Sequence, residues 1–265
     1  MRLEGSRALL TGASGGIGKA IARALHARGA EVLVTARRGE VLDELREELG
    51  ERVTPLPADL ADRESAAELA QRAGTVDVLV ANAALPGAGP IDDFSPEEID
   101  RALDVNLRAP MQLTRLLLPG MVERGRGHLV FISSLSGKAT SPGSGIYSAT
   151  KYGMRGFAGG VRQDLHGTDV DVSVVFPGFI RDAGMFADSE TQLPKGVGTR
   201  TPDDVAAGVV KAIERSRAEV DVAPLGLRLG TKFSELAPQL ATRLQRRMGS
   251  SDIAQQMAAG QRDKR

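Results

Sequence analysis

The chain alternates short apolar runs with longer segments of helical periodicity, and this alternation constrains its fold more than any other feature. The strand-like runs are Ala8–Leu10, Glu31–Thr35, Val53–Leu56, Val76–Ala81, His128–Ser133, Asp171–Phe176 and Glu219–Ala223. The helix-like segments are Ile17–Arg28, Glu40–Leu49, Arg63–Arg72, Pro96–Val105, Pro110–Glu123, Ala149–Leu165 and Asp203–Arg215. Strands separated by helices pair in parallel beneath helices on both faces, and right-handed crossovers favour a doubly wound order. We therefore predict an α/β fold with one parallel sheet.

Charge and cysteine content narrow the function classes. Lysine plus arginine number 34, as do aspartate plus glutamate, so the chain lacks the basic excess typical of nucleic-acid binders. Cysteine is absent, which excludes disulfides and fits a reducing cytoplasm. The three histidines do not have metal-ligand spacing, so we predict no metal site.

Other sequence features bear on domain organisation. The charged segment 1–6 leads directly into a strand, and no apolar run reaches 18 residues, so neither a signal peptide nor a transmembrane helix is predicted. Without a repeat or a break in composition, one domain is favoured. We place the domain that contains the sheet at residues 1–224 and a C-terminal helical extension at residues 225–265.

A glycine cluster follows the first strand and opens the first helix, reading Thr11-Gly12-Ala13-Ser14-Gly15-Gly16-Ile17-Gly18. Glycines let the backbone turn sharply and approach a pyrophosphate, whose charge the N–H groups of the helix start attract. The spacing differs from the common G-x-G-x-x-G fingerprint, and a glycine-rich turn without a ligand is the alternative. The cluster predicts a dinucleotide site that uses Gly12, Ser14, Gly16, Ile17 and Gly18.

The end of the second strand bears on which dinucleotide binds. An acidic residue there selects NAD(H), whereas arginine accommodates the 2′-phosphate of NADP(H). The chain has Ala36 at the acidic position, followed by Arg37 and Arg38, which favours NADP(H) over NAD(H). The alternative is a solvated arginine loop. After the third strand, Asp59 and Leu60 either approach the adenine or form a helix N-cap through the aspartate.

Candidate acid/base residues follow the fifth strand. Tyr147 and Lys151 are four residues apart in a predicted helical region, so they share one face. Ser134 stands at the end of its strand, and ligands of open α/β sheets bind at the carboxyl ends of strands. A surface Tyr/Lys pair is the alternative for the spacing taken alone.

Together these motifs resemble the short-chain dehydrogenase/reductase family over residues 5 to about 223. The resemblance rests on the ordered set TGASGGIG, Asn82 in Ala-Asn-Ala-Ala, Asn106 in Asp-Val-Asn-Leu, Ser134, Tyr147-x3-Lys151 and Pro177-Gly178. It implies a seven-stranded Rossmann-type sheet in the order 3-2-1-4-5-6-7.

The resemblance also implies roles for matching positions. Ser134 is expected to orient a carbonyl group, and Tyr147 to transfer the proton. Lys151 is expected to hold the nicotinamide ribose, and Asn106 to anchor a relay water. The expected cofactor contacts are Gly12, Ser14, Gly16, Ile17, Gly18, Arg37, Arg38, Asp59, Leu60, Asn82, Tyr147, Lys151, Pro177, Gly178 and Ile180.

Elementary chemistry is consistent with those roles. Hydride transfer to a carbonyl carbon develops charge on the oxygen, which requires an aimed hydrogen-bond donor. The ordinary tyrosine pKa of ~10 is too high for efficient proton exchange near neutral pH. A neighbouring lysine ammonium favours tyrosinate, so we expect Lys151 to lower the pKa of Tyr147.

The chain departs from the family pattern at two positions. Ala84 replaces a glycine where the backbone is expected to pass the adenosine, and alanine requires an allowed φ there. After Pro177-Gly178 the family commonly has a threonine that binds the carboxamide, whereas this chain reads Phe179-Ile180-Arg181-Asp182. The negative charge of Asp182 puts that contact in question.

The segments beyond the sixth strand suggest a lid and a tail. Residues 183–200 are predicted to cover an apolar carbonyl or alcohol substrate, with Met185, Phe186 and Leu193 as its apolar side chains; ordinary loop packing is the alternative. In the extension, an apolar stripe at helical spacing is flanked by basic residues; it comprises Leu229, Phe233, Leu236, Leu240, Leu244 and Met248. Docking on the protein itself or on a partner subunit is favoured over an anionic membrane surface. The tail from residue 261 is predicted to fray.

The predicted function is NADP(H)-dependent hydride transfer between the nicotinamide and a carbonyl or secondary alcohol. Epimerase or dehydratase chemistry on the same fold, and a nucleotide-binding protein without turnover, are the alternatives. The family resemblance also predicts a homodimer or homotetramer built from the helices near residues 110–123 and 149–165. Gly153, Gly156, Gly159 and Gly160 on the second of these helices permit close helix approach.

Overall fold

The computed structural model describes residues 1–189, 191–194, 196–247 and 250–262. Seven strands form one parallel sheet: β1 Arg7–Thr11, β2 Glu31–Thr35, β3 Val53–Pro55, β4 Val78–Ala81, β5 Gly127–Ile132, β6 Val170–Pro177 and β7 Glu219–Val222. Their order is β3-β2-β1-β4-β5-β6-β7. The predicted sheet and its order are confirmed.

Helices connect the strands and extend the chain beyond them. They are α1 Gly16–Ala27, α2 Gly39–Leu49, α3 Arg63–Ala73, α4 Pro96–Leu103, α5 Ala109–Glu123, α6 Gly145–Asp164, α7 Gly184–Ala187, α8 Pro202–Glu214, α9 Leu225–Leu236, α10 Pro238–Arg247 and α11 Ser250–Gln261. Local sequence explains several starts, because capping boxes begin α4 at Ser95 and α8 at Thr201, each followed by proline at a first-turn position.

The sheet is buried on both faces, as its apolar strands predict. Leu9 and Leu10 are adjacent in β1, yet they belong to separate core clusters because successive strand side chains point to opposite faces. The cluster around Leu10 includes residues of α1 and α8, whereas that around Leu9 includes residues of α3, α5 and α6. The strands therefore hold their carboxyl ends in fixed register between two helical layers.

Two helix boundaries differ from prediction where they affect the site. Helix α6 begins at Gly145 rather than Ala149, so Tyr147 lies in its first turn. Helix α4 ends at Leu103, and a π-helical segment, Asp104–Arg108, joins it to α5. The sequence analysis ended one helical segment at Val105 and began the next at Pro110, so it did not predict that helical backbone continues between them. Such π-helical segments often occur at functional sites.

Candidate active site

The glycine-rich loop is shaped by contacts that exclude side chains. Gly12 has φ +69°, and a Cβ there would lie 2.7 Å from Cα of Ala83. A Cβ on Gly18 would lie 2.1 Å from the Gly12 carbonyl oxygen. No side chain caps α1 at Gly15, so its first-turn N–H groups can face an anion. This cradle fits the pyrophosphate of a dinucleotide.

The two arginines lie where a nucleotide 2′-phosphate is expected. Both are exposed, and together with Ser14 they line a cavity of about 370 Å³ beside the glycine-rich loop. Two guanidinium groups and a hydroxyl give this cavity donors and positive charge, which suit a phosphate. The predicted juxtaposition of Arg37 and Arg38 with the glycine cluster is therefore present.

Asp59 and Leu60 differ from each other in exposure. Asp59 is exposed and accepts a hydrogen bond from the backbone N–H of Ala61, 3.0 Å away, whereas Leu60 is buried. The cap of α3 is Asp62, which accepts from the N–H of Glu64. The alternative that Asp59 caps the helix is thus wrong, because the N-cap is the aspartate three residues later, Asp62, which directly precedes α3.

Asn82 joins the ends of β1 and β4. Its amide nitrogen donates to the carbonyls of Thr11 and Gly12, at 3.0 and 3.2 Å. The Thr11 hydroxyl in turn accepts from the backbone N–H groups of Asn82 and Ala83. Asn82 therefore fixes the loop that approaches Gly12, a positioning role that the sequence prediction of a cofactor contact did not specify.

The three candidate acid/base residues converge at the carboxyl end of β5. Lys151 is buried, and its ammonium donates to the Ile132 carbonyl at 2.9 Å. The same nitrogen lies 5.5 Å from the centroid of the Tyr147 ring. Ser134 hydrogen-bonds Tyr147, and its hydroxyl oxygen also accepts from the N–H of Ser136 at 3.1 Å. The predicted constellation is assembled by β5 and the first two turns of α6.

Burial controls the pKa values of this pair. It raises the pKa of Tyr147 to about 12, and the hydrogen bond from Ser134 opposes part of that rise. Burial also lowers the pKa of Lys151 to about 8. In the protein alone the pKa of Tyr147 therefore lies above its ordinary value because desolvation dominates, and its lowering by Lys151 together with the charge of a bound nicotinamide stays a prediction.

Asn106 lies in the π-helical segment and is buried. Its side chain exchanges two hydrogen bonds with the backbone of Leu85: the amide donates to the carbonyl at 2.9 Å, and its oxygen accepts from the N–H at 2.6 Å. A weaker contact of 3.4 Å reaches the Thr150 hydroxyl. The amide thus holds the loop after β4 against α6.

Two glycines near this loop were missed by the sequence analysis. A Cβ on Gly87 would lie 3.0 Å from the backbone nitrogen of Tyr147, and one on Gly137 would lie 2.7 Å from the Lys151 carbonyl oxygen. Both glycines allow neighbouring backbone to approach α6 at its catalytic turns. Isolated glycines carry no local signal for such contacts, which arise between distant parts of the chain.

The segment after β6 is anchored to β7 and to residue Arg200. The Gly178 N–H donates to the Val222 carbonyl, and Ile180 is buried and pairs with Arg200. Asp182 has φ +70° and an exposed carboxylate, 3.4 Å from the Arg181 guanidinium. Its charge is therefore partly balanced at the surface. At the other departure from the family pattern, Ala84 does not have a positive φ, so the replaced glycine produces no backbone strain.

The C-terminal extension departs from prediction in two respects. The described part of the apolar stripe is not buried on this chain, because Leu229, Phe233, Leu236 and Leu240 are 42–86% exposed, so docking on a partner subunit is the part of the prediction that stays. The side chains of Leu244 and Met248 lie outside the described part of the structure. Gln261 was predicted to fray, yet it is buried and donates to the Met185 carbonyl at 2.9 Å. The prediction failed because the polarity of Gln261 suggested solvent exposure, whereas its side chain binds a backbone carbonyl distant in the sequence.

The described residues contain neither a cluster suited to a metal ion nor a helix long and apolar enough to cross a membrane.

Comparison with known proteins agrees with this geometry. The family model for short chain dehydrogenases matches residues 6–194. The chain belongs to the short-chain dehydrogenase/reductase family. It is 37% identical over 268 residues to the ketoacyl reductase HetN of Nostoc sp., covering 97% of this chain and 93% of that protein.

Solved structures extend the comparison to bound cofactors. The closed form of a serine dehydrogenase complexed with NADP+ superimposes with a TM-score of 0.75 at 31% identity, covering 83% of this chain and 95% of that one. A family member from Burkholderia phymatum in complex with NAD has a TM-score of 0.78, covering 89% and 96%. Its identity is 23%, so that likeness concerns the fold alone. The chain is thus an oxidoreductase of a family that uses nicotinamide cofactors.

Proposed function

We propose that this protein transfers hydride between NADP(H) and a carbonyl or secondary alcohol, with Tyr147 as general acid and base. The observation that carries the proposal is the convergence of Ser134, Tyr147 and Lys151 at the carboxyl end of β5, beside the glycine cradle. A bound nicotinamide would supply or accept the hydride and, when oxidised, add a positive charge near the tyrosine.

Each residue of the constellation has a distinct task. Ser134 directs a hydroxyl toward the oxygen on which charge develops, and Tyr147 moves the proton at that same oxygen. Lys151 is fixed by the Ile132 carbonyl and retains further ammonium hydrogens for the nicotinamide ribose. Asn106 holds the Leu85 loop through its two side-chain hydrogen bonds. Its proposed role in anchoring a relay water depends on this position of the side chain beside α6.

Replacing Tyr147 by phenylalanine tests the reaction. The ring and its packing remain, whereas the transferable proton is lost, so turnover should fall by at least ~100-fold, the usual contribution of a positioned acid or base. NADPH binding, measured by fluorescence titration, should stay within about threefold because the phenol does not form the pyrophosphate cradle. Substantial activity in this variant would refute the assignment of the proton donor.

Cofactor preference depends on the arginine cavity. Arg37→Asp places a carboxylate where the 2′-phosphate would lie, so the NADPH/NADH ratio of kcat/KM should fall by at least about tenfold. Arg46→Asp makes the same charge change at an exposed position of α2 and should leave the ratio near the wild-type value. Equal ratios in wild type and the Arg37 variant would argue against NADP(H) selection by this cavity.

The substrate class is proposed to be an apolar ketone, aldehyde or alcohol, with residues 183–200 as its cover. Oxidation of NADPH should be followed with ketones, quinones, steroids and 3-oxoacyl thioesters. The last are included because the Nostoc relative is named a ketoacyl reductase. Product formation without net change in NADPH would favour epimerase or dehydratase chemistry, and absence of any reaction would favour a nucleotide-binding protein without turnover.

We further propose a homodimer or homotetramer that uses α5 and α6. Leu116 and Val122 on α5 and Tyr152 on α6 are each 40% exposed, so both helices present apolar surface that a second copy could cover. On α6, a Cβ at Gly156 or Gly159 would meet no atom within 4 Å. These features support close approach of a second copy, which light scattering after size-exclusion chromatography would test.

A further inference from the structure

The helix α11 contacts the segment that covers the proposed substrate site. The Gln192 N–H donates to Oε1 of Gln256 at 3.0 Å, and Gln261 donates to the Met185 carbonyl at 2.9 Å. A Cβ on Gly260 would lie 2.6 Å from the Cα of Ser189 and 2.7 Å from its carbonyl oxygen. Gln256 and Gly260 are four residues apart, so these two contacts involve one helical face.

The covering segment is also pressed against the glycine-rich loop on its other side. A Cβ on Gly16 would lie 2.3 Å from Cβ of Ala183, and one on Gly184 would lie 3.2 Å from Cδ1 of Ile17. The described residues of this segment, 183–189 and 191–192, are therefore held between the cofactor cradle and α11. A change in the position of α11 should alter how this segment sits over the site.

The same helix reaches the loops next to the proton donor. A Cβ on Gly143 would lie 3.5 Å from Cβ of Ala254 in α11. Gly143 accepts a hydrogen bond from the N–H of Gly89 at 2.7 Å, and Gly87 packs on the backbone of Tyr147. Thus α11 contacts both the cover and the loops around the catalytic turn of α6.

We propose that α11 is a latch that holds residues 183–189 and 191–192 closed and helps determine which substrates fit, with Gly260 and Gln261 as its positioning residues. The substrate part of this inference rests on the proposed oxidoreductase function. Gly260 lets the helix backbone lie directly on Ser189. Gln261 fixes the helix end to α7 through a part-buried hydrogen bond to the Met185 carbonyl. Neither residue takes part in proton or hydride transfer.

The test uses Gly260→Val in the full-length protein, with Gly230→Val as the matched control. Gly230 lies in α9, where an added Cβ meets no atom within 4 Å, so both variants place the same side chain in a helix but only one collides with the cover. Hydrogen exchange of residues 184–192 is measured first, because it does not depend on activity. Loss of the stabilisation that one hydrogen bond provides accelerates amide exchange about tenfold. We expect at least about a tenfold acceleration in Gly260→Val and none in Gly230→Val.

Kinetics then test the effect on substrate selection. In Gly260→Val, KM for the best carbonyl substrate should rise about tenfold while kcat changes less than about threefold, since the catalytic residues are untouched. Gln261→Ala removes one hydrogen bond without adding volume, so it should show the same changes in smaller degree, even if the valine variant folds poorly.

Unchanged exchange in residues 184–192 for both latch variants would overturn the proposal. Faster exchange with unchanged KM would overturn the role in substrate selection. If no carbonyl substrate is found, the exchange measurement still decides whether the latch exists, so failure of the proposed function is distinguishable from failure of the latch.

Discussion

The raised pKa of Tyr147 can be measured directly, because the chain contains two tyrosines and no tryptophan. In a Tyr152→Phe variant, Tyr147 is the sole phenol. Burial places its pKa at about 12, compared with an ordinary value of 10.0. NMR of tyrosine labelled with ¹³C at Cζ should therefore show little ionisation of the cofactor-free protein below pH ~11.

Adding NADP+ should lower this pKa strongly. A unit positive charge at ~4 Å in an effective dielectric of ~20 contributes about 4 kcal/mol, equivalent to roughly three pH units. The titration midpoint should therefore fall from about 12 to about 9. NADPH, whose dihydronicotinamide ring is neutral, should lower the midpoint much less and provides the matched ligand control.

Two results would refute this reasoning. Titration of the cofactor-free protein at or below the ordinary value would show that burial does not control the tyrosine. Identical midpoints with NADP+, with NADPH and without a cofactor would show that the nicotinamide charge does not reach the phenol. A Tyr147→Phe/Tyr152→Phe protein, which contains no phenol, gives the background.

Three further outcomes test the energetics of the fold and site. Since burial lowers the pKa of Lys151 to about 8 from 10.5, the unfolded chain binds more protons between those values, and wild-type stability should rise as the pH rises through that window. Lys151→Met should remove this rise. Burying the ammonium costs about 3 kcal/mol at pH 7, which exceeds the contribution of the charged hydrogen bond that is lost with it. The free energy of unfolding at pH 7, measured with urea, should therefore increase by roughly 1 kcal/mol in this variant. Gly12→Ala should destabilise more than Gly5→Ala by about 1–3 kcal/mol in the same assay, since both glycines have positive φ but only an alanine at 12 collides with Ala83; equal losses would contradict this. Burial lowers the pKa of His128 to about 4 from 6.5, so the folded state binds fewer protons in that window and loses up to about 3 kcal/mol as pH falls; His128→Gln should flatten this loss in urea titrations, and parallel profiles would contradict the assignment.

Local chemistry was sufficient to predict the sheet and the cofactor loop. The strand–helix alternation predicted one parallel sheet covered by helices, because short apolar runs separated by helices are typical of strands buried on both faces, whereas the seven-stranded order came from the family resemblance. The glycine cluster predicted a tight turn between β1 and α1, since glycine at positions 12, 16 and 18 allows backbone approaches that a Cβ would block. The positions of Ser134, Tyr147 and Lys151 followed from strand ends and helical spacing.

Tertiary structure alone decided the features that depend on contacts between distant segments. The pKa of Tyr147 depends on burial, which no local pattern reports, and the hydrogen bonds of Asn106 depend on a π-helical segment meeting the Leu85 loop. Likewise Gln261 is polar and near the terminus, yet α11 carries it to the Met185 carbonyl. Sequence thus determined which residues gather at the carboxyl edge of the sheet. Packing determined how strongly each is desolvated and which residues α11 contacts, because both depend on neighbours distant in the chain.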